Sequence, residues 1–453
     1  MRPSRVAMAS IVLALGCTVL TSGRSADASA LTSRPLYGRG TTLTSVSCTD
    51  ATDCTAVGYV NVGEPIYATE IGGVWGAATV IQMPPGLGGA RPLGVSCSSK
   101  ENCTAVGATG QVAGFHATEA GGVWGALTVS TSVGAADLVS VSCTSTKDCT
   151  AVGDDRGKPI YETETAGSWG ATSVVASPGG SGLFQGVSCA SPEDCTAVGY
   201  DANVGEPIYA TEVGGVWGAA TGVSAPPGSL FTAVSCTSAT NCTAVGQDVT
   251  GVAPAYSFQP IYATETTGVW GATTLVSISG DFGSVSCTDT SDCTAVGEGN
   301  DQPIHETEVS GVWGAPTAVF SPLGGGSFLG VSCASATDCT AVGVDGYGFA
   351  TYPTEKAGVW PKVPAAPRYV KVTAGNRWVR VAWTAPASDG RPPVTGYTVS
   401  FDASTHSYAC TTSQRSCTFH GLTNGKTYVT SIYARNPAGS SASSAKKSVK
   451  PRA

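Results

Sequence analysis

Charge is scarce in this chain. Lys, Arg, Asp and Glu together make up 12% of 453 residues, with three methionines and four histidines. Long helix-forming runs are also missing, which excludes coiled coils and helical bundles. It leaves a chain of short strands and many turns, consistent with its 59 glycines. The shortage of histidine weighs against histidine-rich metal or acid–base centres. Past the first twenty residues no apolar run is long enough to span a bilayer, so no transmembrane segment is expected in the mature chain. No nucleophile elbow, phosphate loop or calcium loop is present.

What the chain does have is repetition. The phrase Ser45-Val46-Ser47-Cys48, a five-residue gap and Cys54-Thr55-Ala56-Val57-Gly58 comes back as Cys97/Cys103, Cys143/Cys149, Cys189/Cys195, Cys236/Cys242, Cys287/Cys293 and Cys333/Cys339. Successive first cysteines are 49, 46, 46, 47, 51 and 46 residues apart. One repeat of that length is one supersecondary unit.

The cysteines also indicate a compartment. Of 17, fourteen lie in the repeats, Cys410 and Cys417 near the end, and Cys17 near the start. Sixteen at patterned spacing read as eight disulfides formed in an oxidising environment. Zinc prefers closer pairs completed by a second pair or by histidines, so no metal and no cofactor is expected. Arg2 and Arg5 precede an apolar stretch from Val6 to Leu20, followed by Ala26-Asp27-Ala28-Ser29-Ala30. That reads as a secretory signal peptide over residues 1–30. A lipoprotein lipidated at Cys17 is the alternative. The mature chain is expected outside the cell or at its envelope.

Within one repeat, Leu43 to Cys48 alternates as a strand and Thr49 to Asp53 forms a polar turn, where Asp50 and Asp53 can cap backbone amides. Cys54 to Tyr59 returns, so a Cys48–Cys54 bond would staple the hairpin, for roughly 2–3 kcal/mol in the chain-entropy model. Pro65 to Glu70 and Trp75 to Ile81 supply two further strands. Seven four-stranded meanders imply an all-β, seven-bladed β-propeller over residues 31–363. Residues 33–37 are expected to supply its closing strand, because Trp360-Pro361-Lys362-Val363-Pro364 cannot continue a ladder.

The trio Glu70/Gly73/Trp75 recurs through to Glu355/Gly358/Trp360. It resembles a degenerate Asp-box of bacterial-neuraminidase-repeat propellers, and the whole repeat resembles propellers related to photosystem II assembly factors, common in secreted actinobacterial proteins. The family box carries Asp where this chain has Glu. A sialidase of that kind would need an arginine triad, and after residue 40 the repeats hold only Arg91 and Arg156. Sialidase activity is therefore not expected. The repeated glutamates read as backbone acceptors that shape the turn. Tyr67, His116, Tyr161, Tyr209, Tyr262, His305 and Tyr352 read as packing between repeats.

Beyond the linker at 364–367, Val379 to Trp383, Tyr397 to Phe401 and Leu422 to Tyr428 resemble a fibronectin type III domain over 368–453, an immunoglobulin-like sandwich. Trp383 would be its core tryptophan and Tyr428 its tyrosine corner. Cys410 and Cys417 are expected to pair. Charge divides at the same boundary: 29 acidic against 6 basic residues over 41–360, and 2 against 13 from 361 onward. This reads as ordinary solubility charge on two modules; the alternative is that the basic module touches an anionic surface such as a cell-wall polymer, or docks on its own propeller.

Length variation concentrates on the edge opposite the cysteine turns, most of all in Gln247 to Gln259. Tyr256, Phe258 and Gln259 are the candidate ligand-binding residues there. The expected function is that of a secreted bacterial binding or scaffold protein, non-catalytic and monomeric, with a protein or glycan ligand and no nucleic-acid partner. The alternatives are an extracellular carbohydrate-active protein, a glycosidase or polysaccharide-degradation accessory, and an envelope structural protein.

Overall fold

The computed structural model describes residues 40–452 apart from 62, 111–112, 131–135, 253–254, 320–324, 346–349, 363, 392, 395, 404–405 and 437–438. The signal-peptide reading, Cys17 and the expected closing strand at 33–37 lie outside the described residues.

The first repeat forms β1 (Thr41–Asp50), β2 (Asp53–Val60), β3 (Glu64–Ile71), β4 (Val74–Trp75) and β5 (Thr79–Val80). The order is β1-β2-β3-β4, with β5 also paired to β3. The expected outer strand is thus two short pieces. Between them, the Gly76 N–H donates to the Thr69 carbonyl at 2.9 Å, and the chain steps out of the ladder. The next five repeats build the same sheet, and the seventh has three strands, Gly326–Ser335, Asp338–Asp345 and Ala350–Thr351.

β1 bulges between Leu43 and Ser45 against β2. A Cβ on Gly58 would overlap the Thr42 carbonyl oxygen at that bulge, and the equivalent glycine of each repeat, through Gly343, meets the same obstacle. This is why the phrase ends on glycine. The β3–β4 turn has positive φ at both Gly72 (59°) and Gly73 (79°), as a two-residue type I′ hairpin requires.

The expected seven-bladed β-propeller is corrected: the described residues form an all-β tandem array of nine small sheets, none of which closes on itself. Backbone ladder pairing stops at the edge of every sheet, neighbouring repeat sheets being joined instead by hydrogen bonds to side chains, and the last two sheets form the C-terminal sandwich. The physical reason is that a repeat period specifies one meander. It does not specify how separate meanders are set against each other, which depends on side chains at their faces. Among the seven repeat sheets, each first strand lies against the first strand of the next, and β1 lies against both Ala90–Ser99 and Gly326–Ser335.

In the sandwich, Arg368–Gly375, Trp378–Thr384 and Ser416–His420 face a second sheet built on Gly396–Ala403 and Tyr428–Asn436. Buried Trp383 meets Tyr397 edge-on at 5.3 Å. The Thr423 N–H donates to the Tyr428 hydroxyl at 3.1 Å, which is the tyrosine corner. Cys410 and Cys417 bond across the two sheets.

Candidate functional site

The cysteine phrase is structural in every repeat. Disulfides join Cys48–Cys54, Cys97–Cys103, Cys143–Cys149, Cys189–Cys195, Cys236–Cys242, Cys287–Cys293 and Cys333–Cys339. Each pair stands directly opposite across its hairpin with Cα atoms 3.9–4.0 Å apart. The disulfide staples one hairpin, but the rest of the phrase joins sheets. Ser47 Oγ accepts from the Cys97 N–H of the next sheet, and Ser96, Ser142, Ser188, Ser235 and Ser286 repeat the contact. Ser332 then accepts from Cys48, and all seven bonds measure 2.9–3.0 Å. Threonine hydroxyls back this up: Thr104 lies 3.7 Å from the sulfur of Cys149 and Thr340 3.7 Å from that of Cys54.

The aromatic slot is also packing. Tyr67 meets Trp124, His116 meets Trp169, Tyr161 meets Trp217, Tyr209 meets Trp270, Tyr262 meets Trp313, His305 meets Trp360 and Tyr352 meets Trp75. Ring centroids are 4.9–5.5 Å apart, and every pair crosses from one sheet to the next. Burial pushes both histidines down to about 4, with Lys362 adding to the effect on His305. They are neutral stacking rings whose Nδ1 atoms make no hydrogen bond.

The reading of the repeated glutamates as turn acceptors is corrected. Glu70, Glu119, Glu164, Glu212, Glu265, Glu308 and Glu355 are buried, and each leaves Oε2 without a hydrogen bond. The acceptor that shapes the turn is the residue before the second cysteine. Asp53, Asn102, Asp148, Asp194, Asn241, Asp292 and Asp338 each receive a turn N–H at 3.1–3.4 Å. Asp50 also caps, accepting from the Thr52 N–H at 2.7 Å. Desolvation raises Glu70, Glu119, Glu212 and Glu355 to about 7, each pushed further by a neighbouring acid: Asp53, Glu101, Asp194 and Asp338 respectively.

Two further glutamates, invisible to a reading that looked only at repeated positions, are Glu162 and Glu306. They occupy a buried site where four repeats carry Ala68, Ala117, Ala210 and Ala263. Glu162 accepts from the Ser130 and Thr172 hydroxyls. Glu306 leaves Oε2 unpartnered, and burial raises it to about 7. The break in the pattern was legible as Tyr-Glu-Thr-Glu and His-Glu-Thr-Glu against Tyr-Ala-Thr-Glu.

On the opposite edge, the strands Asn241–Val252 and Ala255–Thr266 are the longest in the protein, and their hairpin projects beyond its neighbours. Tyr256 and Phe258 on it are 54% and 41% exposed. Gln259 does something else: its Nε2 donates to the Val276 carbonyl at 2.9 Å, anchoring the hairpin to its own sheet. At the base of the hairpin lies a cleft of about 580 Å³, walled by Gln247, Phe258, Asp281, Glu298, Asn300 and Asp301. Asp281 stands directly opposite Glu298 on adjacent strands. Desolvation raises Asp281, with the Glu298 N–H pulling the other way. Desolvation also raises Glu298, reinforced by Asp281 and Asp301. Sequence reading found Phe258 but not the acids, which come from the following repeat.

Among the described residues no group of three His, Cys, Asp or Glu side chains is placed to hold a metal ion. No described helix is long and apolar enough to cross a membrane.

A fibronectin-type sandwich and eight disulfides define an extracellular-type binding or scaffold architecture. Residues 365–450 match the Fibronectin type III domain family. Among solved structures the chain is similar to the FN5 domain of Drosophila Lar, at 21% identity over 20% of this chain and 99% of that one, TM-score 0.18. It is also similar to the twitchin kinase region from C. elegans, at 27% identity over 20% of this chain and 17% of that one, TM-score 0.19. Rat CD45 extracellular domains d3–d4 match at 13% identity over 22% and 55%, TM-score 0.19. These likenesses cover about a fifth of the chain and carry no argument about the rest. No curated protein matches. The resemblance to Asp-box and photosystem II assembly factor propellers is corrected: the family model that matches is fibronectin type III, over residues 365–450, and the described repeat sheets stay separate, none closing on itself.

Proposed function

We propose that this is a secreted binding protein that takes a protein or glycan ligand at the edge carrying the Gln247–Gln259 hairpin. The observation behind the reading is Phe258, an exposed aromatic forming one wall of a 580 Å³ cleft whose other walls are acids and amides. Elsewhere among the described repeat residues aromatic rings are buried or half-buried, so an exposed aromatic pair on a projecting hairpin is a departure from the frame. Variable loops on a repeated scaffold are where ligands are usually met. The opposite edge is taken up by disulfides and turn caps.

The test is a protein and glycan array probed with the full chain, then with Tyr256→Ala/Phe258→Ala. Loss of a wild-type signal in the double variant supports the site. A ligand whose affinity is unchanged in that variant sinks it.

A second reading, glycoside hydrolysis, has one observation in its favour. Asp281 and Glu298 are paired carboxyls in a cleft, both held above the usual carboxylate range. Turnover of a polysaccharide that disappears in both Asp281→Asn and Glu298→Gln would favour it over simple binding.

A further inference from the structure

The acidic and basic halves of the chain meet at a short linker, and the basic half has a cleft at its far end. The strand Arg368–Gly375 runs away from that linker for eight residues, about 25 Å at the rise of a β-strand. At its end lies a cleft of about 740 Å³, floored by Val372 and Ala374 and walled by Asn424, Lys450 and Arg452. Arg377 sits on the adjoining turn, where its N–H donates to Asn424 Oδ1 at 2.9 Å. The Arg452 N–H donates to the Gly375 carbonyl at 3.3 Å, and the Gly425 N–H to the Pro451 carbonyl at 2.8 Å. The backbone at Arg377 and Arg452 is therefore tied to its neighbours, and Arg377, Lys450 and Arg452 are all exposed residues.

Nothing acidic lines this cleft. The only acids from residue 361 onward are Asp389 and Asp402, against 13 basic residues. Asp389 neighbours the stretch at the linker end, where Ser388 and Arg391 bond to Ala365 and Lys362. Asp402 accepts from Ser400 within its own strand. Concentrating three cations without a counter-charge costs electrostatic free energy that an anion would recover, and Arg is well suited to phosphate and carboxylate oxygens.

We propose that this cleft binds a segment of an anionic polymer, bearing closely spaced phosphate or carboxylate groups, through Arg377, Lys450 and Arg452. The cleft lies at the end of the Arg368–Gly375 strand remote from the linker, with no acid in its lining, which favours an external polyanion over internal neutralisation. The inference is independent of the ligand read for the Gln247–Gln259 edge.

The test uses the full chain titrated with polyphosphate in one arm and polyglutamate in the other, from low to high salt. Binding is expected in at least one arm, and that arm identifies the anion. Affinity should fall with salt, and Lys450→Ala/Arg452→Ala should weaken binding about tenfold and flatten the logarithmic salt dependence by about two. Arg452→Lys should recover part of the loss. Lys371→Ala, which removes one charge at an exposed strand position outside the cleft lining, should cost much less than half of that loss on the logarithmic scale. Matching thermal unfolding of all variants shows that the fold is kept. The proposal is overturned if neither polymer binds at low salt, or if Lys371→Ala weakens binding as much as the cleft variant. It is also overturned if light scattering shows salt-sensitive self-association through Lys450 and Arg452 that neither polymer displaces.

Discussion

Ser332→Ala is the most informative single change in the repeats. Ser332 Oγ accepts from the Cys48 N–H at 2.9 Å, although the two residues are 284 apart in sequence. Alanine removes the acceptor and leaves a half-buried amide without a partner. Losing a net hydrogen bond costs about 1 kcal/mol, and stranding its donor raises the cost to about 1–3 kcal/mol. For a unit of some 300 residues unfolding together, that is a fall in Tm of roughly 2–4 °C. The internal standard is Ser188→Ala, which removes the identical bond to Cys236 between the fourth and fifth sheets. Differential scanning calorimetry under oxidising conditions should return the same shift for both. If Ser188→Ala destabilises and Ser332→Ala does not, the first sheet is not held against the seventh, and the description of the seam is wrong.

The other predictions concern single sites. Glu306 has its pKa raised by burial to about 7, while the unfolded chain ionises near the ordinary glutamate value. The unfolded state therefore releases its proton first, so stability is greatest at low pH and falls as pH rises from about 4.5 to about 7, then levels off. Glu306→Ala should raise stability at pH 8 by about 1–2 kcal/mol and reduce that slope in urea melts; lower stability at pH 8 would refute the account. Gly246→Ala should destabilise by more than about 2 kcal/mol, because its methyl would overlap the Leu230 carbonyl; an unchanged melting point would contradict the bulge geometry. Cys236→Ser/Cys242→Ser should lower stability by roughly 2–3 kcal/mol under oxidising conditions. It should have no effect on the difference between variants once all are reduced, as calorimetry with and without reductant would show.

Sequence reading went furthest where a feature is local. Hairpin disulfides six residues apart, capping by Asp50 and the tyrosine corner at Tyr428 all depend on neighbours in the chain, and each was legible. The packing slot of Tyr67 and its equivalents was also legible, because a repeated aromatic on a mid-sheet strand has little else to do.

What eluded it was geometry between repeats. Ser47 and Thr55 looked like strand formers, yet the serine accepts a hydrogen bond from the neighbouring sheet. Glu70 looked like a turn acceptor, but its carboxylate is buried without a hydrogen bond, while the Gly72 N–H two residues on donates to Asp53. The same limit explains the array: seven meanders were readable from the period, whereas the arrangement of separate sheets rests on contacts such as the serine–amide bonds, between residues 47 to 52 positions apart and 284 at the seam. At the candidate cleft, Phe258 was picked out from loop length, while Asp281 and Glu298 belong to the next repeat and carried no local mark.

The seam between Ser332 and Cys48 also bears on how the protein fails. A linear stack of repeats frays from its ends, where a terminal unit has a neighbour on one side only. Here β1 has a sheet on either side, and every serine of the seven has an amide to serve. Among the repeat sheets, loss of order must therefore begin by prising apart two neighbours rather than at a free terminal sheet. Such a molecule is expected to unfold slowly relative to its thermodynamic stability, a useful property outside the cell, where proteases sample every opening and no chaperone repairs it.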